Sequence, residues 1–460
     1  MNVIKLLITA LLISPAAARA QGDTLRVMTY NVLGYGDGCQ GDITALHQYL
    51  GKIVTFARPD ILGLVKTASI KSTPGDIYGL APYGFADSII AHALNPSFPG
   101  RFNYCPFTNT AYSDKISLLF YNQQKLGYVS TTLINSYITD FDLYKLYYKD
   151  AHLQTTKDTT FLYVLLNHTQ SGSDPAQRNM QAAAVIAGLT ARFHHLPNLI
   201  NMGDFNTRNS QETGYYSLTQ GNTEAFRFTD PPFHADSMYH YPANWSSGAG
   251  DYSACLTTST RALANVPNTC GTDGGAKGWY DHILLAPWIV DGSNYTRYIR
   301  GSYHTIGNDG HRLGLSVNDS MPLPNTSAPA GVIDALFRFS NKYPVMLSLE
   351  MMPNTTGQSP ADPEINAPTG IGKTESGTAA IQVLNPVYTH MSIVLTEAWL
   401  GKTLLLSVSD MNGRKVMEQQ LRPDKTTLRL PFGYAPGIYS CSIYDALQHR
   451  QLSRNKIVKF

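Results

Sequence analysis

The sequence predicts a large α/β domain followed by a small all-β module, and three observations lead there. Strand-like apolar runs alternate with amphipathic stretches through most of the chain. Near residue 350 the composition changes to a Pro-, Gly-, Thr- and Asn-rich segment without helical or strand period, which reads as a linker. Beyond it, short strand-like runs are punctuated by turn residues. The expected boundaries are 21–350 for the large domain, 351–378 for the linker and 379–460 for the tail.

In the large domain the strand candidates are "LRVMTYNV", "ILGLVK", "FLYVLLNH", "NLIN", "WYDHILLAP" and "YPVMLSLEM". Between them, "DITALHQYLGKIVTFA" and "RNMQAAAVIAGLTARF" carry apolar residues at helical spacing. In the tail, "AIQVLNPV", "MSIVLTE", "TLLLSVSD", "TTLRLPF" and "GIYSCSIYD" suggest a small immunoglobulin-like β-sandwich.

Composition sets the context. At 460 residues with 43% apolar and 15% charged residues, the chain has enough apolar material for one large core and one small one. A net charge of +2 gives no general electrostatic reason for a nucleic acid partner, although a local cleft can still be basic.

Residues 1–20, "MNVIKLLITALLISPAAARA", combine Lys5, an apolar run and a small-x-small ending at Ala18 and Ala20. That is the pattern of a secretory signal peptide, with Gln21 as the expected mature start. No later run is long and apolar enough for a transmembrane segment. Export makes the five cysteines possible disulfide partners. Cys255 and Cys270 flank a Thr-, Ser- and Asn-rich loop and are expected to pair; Cys39 with Cys105 is the next pairing, leaving Cys441 as a buried small apolar residue.

The tail resembles the type IX secretion sorting domain in Asn385-Pro386, "DMNGRKV" from Asp410 to Val416, "APGIYS" from Ala435 to Ser440 and the terminal "KIVKF". The resemblance implies the type IX secretion machinery as a partner. It also implies a protein that is secreted or attached at the outer-membrane cell surface.

Several strand ends of the large domain carry polar residues, the usual position for site residues in such folds. Asn31 ends "TYN", His168 ends "LLNH", Asp204 and Asn206 share the turn "NMGDFN", and Asp281 opens "DHILLAP". In this order and spacing they resemble the endonuclease/exonuclease/phosphatase superfamily, from about Leu25 to Glu350. The implied fold is a four-layer α/β sandwich: two packed mixed β-sheets with helices outside. The implied chemistry is Mg²⁺-assisted hydrolysis of a phosphate ester. In it a Glu at the end of the second strand holds the metal, a terminal Asp-His pair supplies a carboxylate and an imidazole, and the "GDFN" carboxylate positions water.

Matched by position, Asn31, His168, Asp204, Asn206 and Asp281 are retained. The Glu position is Lys66, and the terminal pair aligns with "SNKYPV", which puts Asn341 for the Asp and Lys342 for the His. A rival alignment uses Asp309 and His311 in "GNDGHRLGLSV". "SNKYPV" is preferred because Pro-Val and a strand pattern follow it directly.

The substitutions change the charge of the site. A Lys at the metal position removes an oxygen ligand and adds a cation; two unit charges about 4 Å apart repel by about 4 kcal/mol at an effective dielectric of ~20. The sequence therefore predicts a degenerate site with no Mg²⁺ cofactor. The Lys66 ammonium is a candidate to stand where the metal would, satisfying Asp281 or Asp204. Two function classes stay open. One is a binding module in which Asn31, Lys66, His168, Asn206 and Lys342 hold a phosphate-containing ligand without hydrolysing it. The other is a divergent metal-dependent phosphodiesterase or nuclease.

Overall fold

A computed structural model describes residues 22–69, 83–109, 111, 113–233, 245, 252–263, 271–360, 363–365, 381–383, 387, 390–410, 414–435, 437–446 and 450–459. The expected signal peptide and the sorting motif Asn385-Pro386 lie outside these residues.

Two mixed sheets form the large domain. The first runs β10 (Thr296–Tyr298), β12 (Val345–Met351), β1 (Asp23–Tyr35), β2 (Ile61–Ala68), β4 (Lys115–Asn122), β3 (Phe102–Tyr104), with β11 (His304–Thr305) also on β12. The second runs in chain order through β5 (Leu126–Asn135), β6 (Phe141–Tyr148), β7 (Phe161–His168), β8 (Leu199–Asp204) and β9 (Asp281–Leu285). The central strands β1, β2, β7 and β8 are buried along nearly their whole length, which is why they read as continuous apolar runs rather than alternating ones.

The sheets pack face to face through β1 and β2 on one side and β7, β8 and β9 on the other. Gly63 of β2 sits at the closest approach. A Cβ there would come within 2.5 Å of Leu166 and 2.8 Å of Met202, so a side chain would push the sheets apart.

Helices cover the outer faces and complete four layers. The helix Ile43–Ala57 is N-capped by Asp42, whose carboxylate accepts the Ala45 N–H at 3.0 Å, and it buries Leu46, Leu50, Ile53 and Val54. It packs against the helix Ala330–Phe339, whose Phe339 ring meets Tyr30 and Tyr35 of β1 at 5.5 and 5.1 Å. On the other sheet the helix Ala176–Arg192 lies over β5, with Gly188 against Ile134.

The tail forms a three-stranded sheet (Ile381–Val383, His390–Leu395, Thr427–Pro431) and a four-stranded sheet (Leu404–Asp410, Lys415–Leu421, Gly437–Asp445, Arg450–Lys459). They share a separate apolar core that includes Trp399, Leu406, Val408, Phe432 and Ile443, as expected of a β-sandwich.

Two expectations are corrected here. The predicted linker does not begin at 351. Asn354 donates its backbone N–H to the Asp150 carboxylate and its Nδ2–H to Asp158, each at 2.7 Å, and Glu364 pairs with Arg192 at 2.6 Å and Lys145 at 3.1 Å. The segment through Ile365 is thus fastened to the large domain by polar contacts, which leave no apolar period for sequence reading to detect. The cysteine pairings also differ. Cys105 and Cys255 are buried free thiols, so neither Cys39–Cys105 nor Cys255–Cys270 forms, while Cys39 is disulfide-bonded. Both free thiols pack in the large core, where a small apolar side chain serves as well as a bridge. Cys441 is a buried free thiol in the tail's core, as expected. No helix among the described residues is long and apolar enough to cross a membrane.

Candidate functional site

Strand register brings the retained polar residues together at one end of the two sheets. In the second sheet His168 pairs with Asp204 across β7 and β8, and Asp204 pairs with Asp281 across β8 and β9, so three titratable residues stand in a row. From the first sheet, Asn31 of β1 reaches across and donates its Nδ2–H to Asp204 Oδ2 at 2.7 Å. Its own Oδ1 accepts the Leu33 N–H, which fixes the amide's orientation.

The turn after β8 is built to hold Asp204. Gly203 has φ +141°, and a Cβ there would lie 1.9 Å from the Asn167 carbonyl oxygen. Asn206 follows with φ +48°, donates its N–H to Asp204 Oδ1 at 2.9 Å, and gives its Nδ2–H to the Thr169 carbonyl at 2.9 Å. Asn206 therefore builds the turn, and that Nδ2–H is already spent.

The ammonium of Lys342 fills the space between the carboxylates. Its Nζ lies 3.0 Å from Asp204 Oδ2, 3.7 Å from Asp281 Oδ2, and 4.7 Å from the centre of the Tyr280 ring. The side chain is 8% exposed and both carboxyl groups are 1% exposed, so the three groups are shielded from water by protein. At 3.0 Å the contact with Asp204 is a close ion pair. Expectation had placed a lysine here but named Lys66. The structure assigns the place to Lys342 because the Ser340–Pro344 turn carries it in directly ahead of β12.

Burial decides the protonation states. Burial works against the Asp204 charge, but Lys342 and His168 outweigh it and hold the carboxyl below its usual range. Asp281 is raised because burial outweighs the opposing Lys342 charge, and repulsion from Asp204 adds to the burial. Burial opposes the Lys342 charge too, yet Asp204 and Asp281 keep its amine above the ordinary lysine range. His168, with the two lysines adding to burial, is pushed down to about 4 and is a neutral imidazole at neutral pH.

Lys66 sits beside this pair. It lies at a bulge, where the pairing of β2 with β1 and with β4 skips a residue, and its backbone takes φ +64°. The side chain is partly buried and has no ion pair or hydrogen bond among the described residues. Burial first, then the nearby Lys342 charge, holds its amine below the lysine range.

Asn341 does not join the carboxylates. It lies against Gly271, and its Nδ2–H bonds to Thr272 Oγ1 at 2.7 Å. His311 is exposed and begins no strand; the chain after it folds around buried Arg312, which donates to the Asp319 and Leu323 carbonyls at 2.8 Å. Sequence reading missed His282. It faces the opposite side of β9 from Asp281, fully buried, with its Nδ1 2.8 Å from Asp230, which also accepts from Tyr215 at 2.7 Å. The adjacent Asp281-His282 pair was a visible signal, but the two-residue period of a strand separates their faces.

A divalent cation does not fit these residues. Hard cations need several converging oxygens, and here an ammonium stands between the two carboxylates. Among the described residues no group of three His, Cys, Asp or Glu side chains converges as a metal site.

No family model and no curated protein matches the sequence. Among solved structures, the chain is similar to an endonuclease/exonuclease/phosphatase from Beutenbergia cavernae, with 11% identity, a TM-score of 0.40, and coverage of 94% of this chain and 99% of that one. It is similar to an endonuclease/exonuclease/phosphatase family protein from Bacteroides thetaiotaomicron at 13% identity and TM-score 0.41, covering 72% and 98%. A mannosyl-6-phosphatase of the same organism follows at 12% and 0.40, covering 71% and 99%. At such scores the likeness carries nothing further, and the four-layer arrangement rests on this chain's own strand order and packing.

Proposed function

We propose that this chain is a secreted or surface-attached binding protein whose cleft holds a phosphate-containing ligand without hydrolysing it. The observation that carries the reading is the Lys342 ammonium seated between Asp204 and Asp281. It offsets the charge of Asp204 while burial favours the neutral acid at Asp281, so the carboxylates that metal-assisted hydrolysis would require are not free, and Lys66 adds positive charge to the cleft.

Lys66 is the group left to meet a ligand, since its ammonium has no counter-ion among the described residues. The neutral His168 ring beside it adds a donor or acceptor. Asn31 and Asn206, counted as ligand contacts from sequence, serve instead to hold Asp204 in place. Lys342 contributes charge rather than direct contact.

The test is calorimetric titration of the mature chain with inorganic phosphate and with a phosphomonoester, alongside turnover assays in Mg²⁺ and Mn²⁺. Saturable binding lost in Lys66→Ala, with no turnover, is the expected result. Divalent-dependent turnover abolished by Asp204→Ala would instead establish a divergent phosphodiesterase or nuclease.

For export, the support is the sequence of the tail and of residues 1–20. Removing the tail from about Ala379 is expected to leave the large domain folded in the periplasm of a type IX-competent cell. Normal amounts of truncated protein at the surface would count against this part of the proposal.

A further inference from the structure

Lys342, Asp204 and Asp281 hold the parts of an amide bond. The Nζ of Lys342 lies 3.0 Å from Asp204 Oδ2 and 3.7 Å from Asp281 Oδ2, and the two aspartates face each other in register across β8 and β9. An amine, a carboxyl group to acylate it and a second carboxyl group to move protons thus stand together. The Asp204 carboxyl is held at both oxygens: the Asn206 N–H donates to Oδ1 at 2.9 Å and the Asn31 Nδ2–H to Oδ2 at 2.7 Å. Fixed donors of this kind stabilise charge that develops on oxygen when a carboxyl carbon is attacked.

We propose that Lys342 and Asp204 join in an intramolecular isopeptide bond, with Asp281 relaying the protons. The ion pair is the reactant. A proton first passes within it, from the ammonium to Asp204 Oδ2. The amine lone pair then forms an N–C bond to the Asp204 carboxyl carbon, and the C=O π pair moves onto Oδ1, facing the Asn206 N–H. Asp281 gives its proton to Oδ2 and takes one from the nitrogen; the C–O bond breaks and Oδ2 leaves as water. Ammonium and carboxylate become amide and water, Asp281 ends as it began, and no oxidant, metal or co-reactant is required.

Burial favours the product. The three side chains are 8%, 1% and 1% exposed, and a neutral amide replaces two charges that are costly to keep away from water. Burial also favours the neutral acid at Asp281, the form the relay needs. The charge of Lys342 is itself favoured by the two aspartates, so the first proton transfer is the slow step. Chains in which the bond has not formed keep the ion pair. The bond ties β8 of one sheet to the turn ahead of β12 of the other, a covalent staple across the sheet interface. It goes beyond the phosphate-binding reading, because it removes one positive and one negative charge together and leaves Lys66 out of the reaction.

The experiment is intact-mass spectrometry of the mature chain, incubated folded at neutral pH, then reduced and denatured, with peptide mapping of the product. We expect a chain lighter than its sequence by one water, and a branched peptide joining the segment around Asp204 to that around Lys342. Lys342→Arg should have its full mass, and Lys66→Arg should still lose water. Asp281→Asn keeps the shape of the side chain and should fold, yet form the bond about 100-fold more slowly. Full mass in the folded wild type, a water loss that persists in Lys342→Arg, or equal rates in wild type and Asp281→Asn overturns the proposal. Phosphate titration of the same samples separates the two readings. Phosphate binding by a wild type of full mass refutes the isopeptide bond alone; a cross-linked chain that binds no phosphate refutes the phosphate reading and leaves the bond standing.

Discussion

The Nζ of Lys342 lies 3.0 Å from Oδ2 of Asp204, and both side chains are almost wholly buried where the two sheets meet. A charge pair so placed adds little net stability while complete, because desolvation offsets its attraction, but it is costly to break.

Lys342→Met should therefore destabilise the chain by about 3 kcal/mol at neutral pH, since Asp204 would keep its buried charge without a counter-ion. Asp204 is depressed in the folded state, so the stability it contributes is present above its unfolded pKa and lost as pH falls through the folded value. The difference between wild type and variant should accordingly shrink below about pH 4. Asp281→Asn should cost no more than about 1 kcal/mol, because burial already favours the neutral acid there. Urea unfolding of both variants measures the contrast.

His168 gives a second pH signature. Its folded pKa is about 4, below the ordinary histidine value, so between the two the unfolded chain binds the extra proton. Stability attributable to this residue is complete above the unfolded pKa and is lost as pH falls from about 6.5 toward 4. In His168→Asn that slope should disappear. An unchanged pH profile would mean the imidazole is more hydrated than its neighbours imply.

Docking of residues 352–365 predicts where the domain can be cut. A chain ending after residue 350 loses the Asn354–Asp158 bond and the Glu364 pairs with Arg192 and Lys145; one ending after 366 keeps them. The shorter form should melt several degrees lower, by about 4–8 °C for each ~1 kcal/mol lost in a small domain and less in one this size. Equal melting temperatures would show those contacts to be energetically idle.

Much of this was legible in the sequence, and the part that was not has identifiable causes. Asn31, His168, Asp204 and Asp281 could be placed because polar residues closing apolar runs mark strand ends, and strand ends meet at one rim of a packed sheet pair. Which lysine would reach the carboxylates was not legible. Lys66 and Lys342 have the same charge and reach, and only the bulge at Lys66 and the turn at Ser340–Pro344 decide between them. The roles of Asn31 and Asn206 were hidden likewise, since an amide that could bind a ligand looks the same as one that holds a carboxylate. Disulfide partners depend on Cα geometry that spacing does not encode.

The electrostatic account also predicts what would rebuild a metal site. Lys66→Glu alone leaves Lys342 between the carboxylates, and Lys342→His alone leaves Lys66 as a cation. Together they remove both ammonium groups and add one oxygen ligand, so the double variant should bind Mg²⁺ by calorimetry where neither single variant does. Addition of Asn341→Asp should contribute little, because that side chain is committed to Thr272.

The central claim is that a lysine ammonium, not a metal, completes this site and leaves it cationic. Thermal melting of the wild-type mature chain in titrations of Mg²⁺ and of inorganic phosphate tests it most directly, because a ligand bound only by the folded state must raise the melting temperature by mass action. The account predicts no saturable shift with millimolar Mg²⁺ and a saturable rise with phosphate that is lost in Lys66→Ala. A saturable Mg²⁺-dependent rise abolished by Asp204→Ala would contradict it.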